Sequence, residues 1–193
     1  SEMCIRDSAQ TRVVREILRD QKSLFPMNRL VQGDVGSGKT VVALIAIFNV
    51  VKCGYQATLM VPTEILANQH YQEAKKLLEP FGIHIELLTG STSAKEKRRI
   101  KELITTDMPM VVIGTHALIQ EDVDFKNLGL VVTDEQHRFG VEQRNRLINK
   151  GRRPDVLVMT ATPIPRTLAL YVYSDLDLSL IHISEPTRRV VIS

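Results

Sequence analysis

The segment that most constrains the fold of this chain is a glycine-rich loop that ends in a lysine and a threonine. Its residues are Gly33, Asp34, Val35, Gly36, Ser37, Gly38, Lys39 and Thr40. The spacing matches G-x-x-x-x-G-K-[ST], in which backbone N–H groups surround phosphates, the lysine pairs with them and the hydroxyl binds Mg²⁺. An apolar run at 29–32 predicts a strand before the loop, and residues 41–46 predict a helix after it. Because a helix N-terminus favours negative charge, the segment predicts a nucleotide-binding site.

Composition excludes few other classes of protein. The 193 residues are 44% hydrophobic and 24% charged, which is typical of one globular domain with a three-layer core. A net charge of +3 permits a nucleic-acid partner without requiring one. No stretch approaches the roughly 18 consecutive apolar residues of a membrane span, so we expect neither a span nor a secretory signal.

Cysteine and histidine spacing indicates no protein-bound zinc. Cys4 and Cys53 lie far apart, and no His or Cys stands near either at the spacing of metal ligands. His70, His84 and His116 likewise show no ligand spacing. The sequence therefore predicts a reduced, cytoplasmic protein without a zinc site.

Both ends of the chain break the pattern of the remainder. Residues 1–8 (SEMCIRDS) and 180–189 (LIHISEPTRR) resemble peptides translated from sequencing-adapter DNA. Genuine loops are the alternative. The favoured organisation is a non-native segment at 1–8, one ATP-binding domain at 9–179 and a non-native or disordered segment at 180–193.

Apolar runs alternate with amphipathic stretches through the rest of the chain. Strands are predicted at 29–32, 57–61, 83–88, 110–113, 129–133 and 156–159, and helices at 10–21, 41–54, 63–80 and 94–104. On the helix that begins at Thr63, the predicted apolar face contains Ile65, Leu66, Ala74, Leu77 and Leu78. This alternation predicts an α/β fold in which helices cover both faces of a parallel sheet.

Polar residues cluster at the carboxyl ends of these predicted strands. The clusters are at 33–40, 62–63, 114–116, 134–137 and 160–162. In open parallel sheets, ligands bind beyond the carboxyl ends of the strands. We therefore expect all of the clusters to lie along one edge of the sheet and to form one site.

Two adjacent carboxylates, Asp134 and Glu135, follow the predicted strand at 129–133. One can hold Mg²⁺ beside the terminal phosphates, and the other can orient or deprotonate the attacking water. We expect the chain to turn just past the strand, so that both side chains reach the ligand.

Gln136 and His137 extend the acidic pair. His137 is either a structural histidine or a sensor of the γ-phosphate. Its place beside the carboxylates and opposite Thr160 and Thr162 favours the second interpretation.

Small polar residues at the other strand ends predict contacts with a nucleic-acid backbone. They are Pro62, Thr63, Gly90, Ser91, Gly114, Thr115 and His116. Hydroxyl groups and helix N-termini donate to phosphates without reading base sequence. The basic helix at 94–104 is either a further DNA contact or a solvated face, and its sequence does not decide. Base stacking is not expected, because aromatic residues make up 5% and Trp is absent.

Several segments, taken together, resemble the RecG-type ATP-dependent DNA helicases of superfamily 2. They are GDVGSGKT, PTEILANQH, GTHALIQ, DEQHRFGVEQR and TATPIPRT, in this order. The resemblance implies a RecA-like P-loop fold, the first motor lobe of an enzyme that uses ATP and Mg²⁺ to remodel forks and Holliday junctions. The implied partners are branched DNA and, in the parent chain, a second motor lobe and a wedge domain.

The resemblance also implies residue roles. Gln10 is expected to read the adenine edge, and Thr160 and Thr162, with Arg166, are expected to couple hydrolysis to DNA movement. Lys39 matches the family's phosphate-binding lysine. Because the family's arginine fingers come from the second lobe, this fragment is expected to bind ATP and hardly hydrolyse it.

Two other functions stay open. Transcription-repair coupling translocases share the RFGV and TATPIPRT segments, although Ser37, Gln136 and residues 142–144 favour the RecG type. A nucleotide-binding switch without motor function is the alternative from a different class. In that case DNA would not change the affinity for nucleotide.

Overall fold

The computed structural model describes residues 2–33, 38–135, 141–161 and 177–180. Residues 2–9, 135, 141 and 177–180 are described as backbone only. The helices are α1 (Glu2–Gln21), α2 (Lys39–Lys52), α3 (Glu64–Leu78), α4 (Ala94–Ile104) and α5 (Val141–Ile148), with short 3₁₀ helices at Glu79–Phe81 and His116–Ile119. Within the described ranges, no helix combines the length and the apolar character needed to cross a membrane.

In the described part of the chain, seven parallel strands form one sheet. In chain order they are β1 (Asn28–Gln32), β2 (Gln56–Met60), β3 (Ile85–Leu88), β4 (Val111–Gly114), β5 (Leu128–Glu135), β6 (Asp155–Thr160) and β7 (Asp177–Leu180). Their order across the sheet is β3-β4-β2-β5-β6-β1-β7, and every neighbouring pair is parallel. Parallel neighbours need crossover connections, and those connections place helices on the faces of the sheet. The predicted α/β fold is confirmed.

Alternating side chains divide the core into two layers. On β5, Leu130 and Val132 pack in the layer with α1, α2 and α3, whereas Val131 packs in the layer with α4 and α5. This alternation is the two-residue period of a strand that is buried on both faces. From Leu130 to Asp134, even-numbered residues of β5 therefore face one layer of helices, and odd-numbered residues face the other.

Helix α3 packs on the sheet through a different stripe from the one predicted. Its buried residues are Ala67, His70, Ala74 and Leu78. Ile65 is 73% exposed and Leu77 is 39% exposed, so their assignment to the buried face is wrong. Residues three and four apart share a helix face, so the buried residues form one stripe that begins at Ala67. Ile65 lies outside this stripe and faces solvent.

The ends of several elements also differ from the sequence-based expectation. Helix α1 begins at Glu2 rather than Gln10, and β3 begins at Ile85 rather than two residues earlier. Helix α5 and strand β7 were not predicted. Because α1 includes residues 2–8 and β7 includes Leu180, regular structure extends into both segments expected to be non-native. Their origin stays a prediction.

One buried amide joins three elements at the amino end of β2. Gln56 Nε2 donates to the carbonyl oxygens of Ile104 at 3.0 Å and Thr106 at 3.1 Å. Its Oε1 accepts the N–H of Asn127 at 2.9 Å. The Gln56 side chain therefore satisfies backbone groups at the end of α4 and just before β5.

We expect Gln56→Leu to lower the free energy of unfolding by about 2–4 kcal/mol, because an apolar side chain leaves buried backbone groups without partners. Chemical denaturation followed by circular dichroism measures the change. Gln69→Leu on the exposed face of α3 is the matched control, and it should change stability by no more than about 0.5 kcal/mol. A small, equal effect of both substitutions would contradict this role for Gln56.

Candidate active site

The carboxyl ends of three neighbouring strands meet at one level. In the ladder, Gln32 pairs with Thr160, and Thr160 pairs with Glu135. The N–H of Gly33 then donates to the carbonyl oxygen of Thr160 at 3.1 Å. The glycine-rich segment therefore leaves the sheet directly beside the end of β6 and next to the carboxylate-bearing end of β5.

Helix α2 begins without a side-chain cap. Its N-cap residue is Gly38, which has left-handed backbone angles (φ 82°, ψ 17°) and precedes Lys39 and Thr40 in the first turn. By contrast, the hydroxyls of Thr63 and Ser93 accept backbone N–H groups in the first turns of α3 and α4, at 3.3 Å and 3.2 Å. A helix N-terminus favours an anion, and the side chain of the N-cap residue does not occupy this end of α2.

Helix α1 brings Gln10 to this point. A Cβ atom added to Gly38 would collide with the Gln10 side-chain amide. The left-handed φ of Gly38 favours glycine, and the absence of a Cβ also leaves room for the Gln10 side chain in this position. The glutamine that the sequence resemblance assigned to adenine lies against the start of the lysine-bearing helix.

The two carboxylate residues belong to β5 itself. Asp134 pairs with Met159, and Glu135 pairs with Thr160. The expectation that the strand ends at Thr133 and turns before the pair is wrong, because the ladder with β6 continues to the end of that strand. The side chain of Glu135 lies outside the described part of the structure, and its catalytic role stays a prediction.

Asp134 lies on the same side of the sheet as α3. Its Oδ2 is 3.4 Å from Nε2 of His70, and the Asp134 side chain is 17% exposed. His70 itself is 8% exposed. Sequence reasoning missed His70; the available signal was its spacing from Ala67 and Ala74, which places it on a helix face that contacts a sheet.

The residues predicted to contact DNA lie at the ends of β2, β3 and β4, which are adjacent in the sheet. Thr63, Gly90, Ser91 and His116 are exposed, Pro62 is half-buried, and Gly114 and Thr115 are buried. A side chain at Gly114 would collide with the carbonyl oxygen of Leu88, so strand packing alone explains this glycine. In this conformation the exposed subset can reach a ligand directly.

A carboxylate joins two of these strand ends. Glu64 accepts the N–H of Ser91 at 3.0 Å and its hydroxyl at 2.7 Å. These hydrogen bonds hold the pKa of the Glu64 carboxyl below its ordinary value. Lys97 Nζ also donates to the carbonyl oxygen of Gly90 at 3.0 Å. The donors of Ser91 are thus engaged within the protein, and the segment after β3 is tied to the start of α3.

Contacts within the protein favour a structural role for the basic helix α4. Arg99 donates to both carboxylate oxygens of Glu86, at 2.8 Å and 2.7 Å, and also pairs with Glu96. Burial raises the pKa of Glu86, but the hydrogen bonds from Arg99 and His84 outweigh it, so the pKa is lowered. Lys101 pairs with Asp122.

The available oxygen donors fit a magnesium ion that is shared with a nucleotide. Among the residues that the structure describes, no group of three or more His, Cys, Asp or Glu side chains could hold a metal. Mg²⁺ commonly uses only one or two carboxylates together with phosphate oxygens and water. A carboxylate at Asp134 and a hydroxyl at Thr40, in the first turn of α2, are donors of that kind.

Several predicted site residues lie outside the described residues. They are Asp34, Val35, Gly36, Ser37, Gln136, His137, Thr162 and Arg166. Their roles in phosphate binding, γ-phosphate sensing and coupling stay predictions.

Comparison with known proteins identifies similar sequences. The DEAD/DEAH box helicase family model matches residues 7–170. The ATP-dependent DNA helicase RecG of Aquifex aeolicus is 54% identical over 187 residues, which cover 96% of this chain and 24% of that relative. The chain thus spans about a quarter of the length of this curated relative. The resemblance to RecG-type helicases is confirmed.

Solved structures agree with this assignment. A structure of RecG bound to a three-way DNA junction superposes with a TM-score of 0.80 at 53% identity, covering 94% of this chain and 24% of that chain. The helicase domain of Pyrococcus furiosus Hef shares the fold, with a TM-score of 0.67 at 20% identity over 89% of this chain and 36% of that chain.

We expect Gly38→Ala to weaken nucleotide binding more than Gly82→Ala does. Both glycines have left-handed φ angles, 82° and 78°, but a Cβ at Gly82 meets nothing within 4 Å, whereas one at Gly38 displaces Gln10. The backbone cost, about 1–2 kcal/mol for each, therefore cancels in the comparison. Titration with a fluorescent ATP analogue measures the affinity, and thermal unfolding measures the shared cost. Equal loss of affinity would contradict the contact with Gln10.

Proposed function

Because the chain belongs to the DEAD/DEAH box helicase family, we propose that it is the ATP-binding motor lobe of a DNA translocase that remodels branched DNA. The observation that carries the proposal is the meeting of the ends of β1, β5 and β6 beside the uncapped start of α2. Lys39, in the first turn of α2, and Asp134, near the end of β5, support the proposal by their positions.

ATP binding uses groups from α1 and α2. The Lys39 ammonium pairs with the terminal phosphates, and the first-turn N–H groups of α2 donate to them. Gln10 contacts the adenine edge, which its position against Gly38 supports. Residues 34–37 of the glycine-rich loop complete the enclosure of the phosphates in this proposal.

Hydrolysis uses the end of β5. We propose that Thr40 and Asp134 hold Mg²⁺, which neutralises phosphate charge when it is bound. Glu135 orients or deprotonates the attacking water. Gln136 and His137 respond to the γ-phosphate at the same strand end.

DNA binding uses the neighbouring strand ends. The exposed residues Thr63, Gly90 and His116 contact the phosphate backbone of one strand, which positions DNA without reading its sequence. Because β2 pairs with β5, these contacts lie beside the hydrolytic carboxylates. Thr160, at the end of β6, joins Thr162 and Arg166 in transmitting hydrolysis to DNA movement.

In this proposal, regions of the full-length relatives outside the matched segment complete the machinery. The chain spans about a quarter of their length, and we propose that the remainder includes a second motor lobe and a wedge domain. The second lobe contributes positive charge from the opposite side of the triphosphate, and the wedge domain contacts the DNA branch point.

Lys39→Ala and Glu135→Gln should separate ATP binding from hydrolysis. Lys39 acts on phosphates in the ground state, and losing one charged hydrogen bond, worth about 1.5–3 kcal/mol, weakens ATP binding about 10- to 100-fold. Glu135 acts on water in the transition state, so its change leaves affinity within about twofold and lowers turnover about 10²-fold or more.

Calorimetric titration measures ATP affinity on the 193-residue chain, and phosphate release measures turnover on a two-lobe protein that contains it. Equal loss of ATP affinity in both variants would contradict the roles assigned to Lys39 and Glu135. Affinity for ATP that is unchanged by DNA in the two-lobe protein would favour a switch without motor function.

The chain alone should bind Mg·ATP and hydrolyse it about 10³- to 10⁵-fold more slowly than the two-lobe protein, with or without branched DNA. That factor is the contribution of an arginine supplied from across the nucleotide in related phosphoryl-transfer enzymes. Steady-state phosphate release by the two proteins, assayed side by side, tests it. Turnover of the chain within tenfold of the two-lobe protein would mean that the catalytic arginine is already present.

A further inference from the structure

His70 occupies an unusual position for a polar side chain. It lies in the middle of α3, among residues that pack on the sheet, and both of its ring nitrogens are buried. Neither nitrogen makes a hydrogen bond to any residue that the structure describes. The small side chains of Ala67 and Ala74 stand on the same helix face, which allows α3 to approach the sheet closely.

Leaving a buried imidazole without a hydrogen bond costs about 1–3 kcal/mol. Oδ2 of Asp134 lies 3.4 Å from Nε2. A closer approach together with better alignment of the ring N–H would convert this contact into a hydrogen bond. Functional hydrogen bonds are often long before the ligand binds and shorten in the complex.

We propose that His70 is a positioning residue for Asp134, and this inference rests on the proposed function. The imidazole donates from Nε2 to Oδ2 in the nucleotide-bound state. The hydrogen bond fixes the rotation of the carboxylate and leaves Oδ1 for the cation. Carboxylates that bind metals are generally held by such outer hydrogen bonds, whose loss costs about 10- to 100-fold in metal affinity or activity.

Two amide substitutions distinguish positioning from packing. His70→Gln places its amide nitrogen near the position of Nε2, whereas the shorter His70→Asn places it near Nδ1. Both substitutions introduce one polar group of similar chemistry into the same buried site. Gln69→Ala, on the exposed side of the same helix, is the control for changes in the helix itself.

The measurement is ATP affinity of the 193-residue chain as a function of Mg²⁺ concentration, with an EDTA sample as the metal-free reference. We expect His70→Asn to leave affinity in EDTA within twofold of the wild type. It should raise the Mg²⁺ concentration needed for half of the affinity gain about 10-fold or more. His70→Gln should need less than threefold more Mg²⁺, and Gln69→Ala should match the wild type.

Asp134→Asn separates this inference from the proposed function. If Asp134→Asn abolishes the Mg²⁺ gain and His70→Asn keeps it, His70 does not position Asp134 and the inference is wrong. Equal loss of ATP affinity with and without Mg²⁺ in both His70 variants would make His70 a packing residue and would also overturn it. Failure of the wild-type chain to bind ATP would instead contradict the proposed function.

Discussion

The parallel register of β1, β6 and β5 is the constraint on which the site depends. This register aligns the end of β1, which leads into the glycine-rich loop, with the end of β6 and with the carboxylate pair at the end of β5. The hydrogen bond from the N–H of Gly33 to the carbonyl oxygen of Thr160 extends the alignment by one residue. A slip of one residue would turn every side chain of a strand to the opposite face. Asp134 would then face the layer of α4 and α5 and lose its contact with His70. The buried apolar side chains on both faces oppose such a slip.

Capping distinguishes α2, the helix proposed to bind phosphate, from its neighbours. Helices α3 and α4 satisfy a first-turn N–H with their own Thr63 and Ser93 side chains, whereas α2 begins at a glycine.

Helix α3 lies close to both proposed ligand sites. It begins beside the exposed residues proposed to meet DNA, and two turns later, about 10 Å along its axis, it carries His70 to Asp134. The same helix thus lies between the two proposed ligand sites.

Much of this arrangement could be predicted from the sequence. Buried parallel strands are continuous apolar runs, and the spacing of the glycine-rich loop is specific, so their positions along the chain were clear. Two features depended on tertiary contacts instead. Ile65 and Ala67 are both apolar, and only packing against the sheet decides which of them is buried. The extension of β5 through two acidic residues depends on the ladder with β6, and a single histidine in a helix carries no sign of the carboxylate it will meet.

The position of β1 has a consequence for the order in which the molecule is assembled. Its two neighbours, β6 and β7, come from the far end of the described chain, and the N–H of Met27 donates to Oδ1 of Asp155, 128 residues later. At synthesis rates of about 5–20 residues per second, on the order of ten seconds separate these residues on the ribosome. During that interval, β1 has no strand beside it, while β2, β4 and β3 can already pair. The lysine-bearing helix is therefore made early, but its site is completed last.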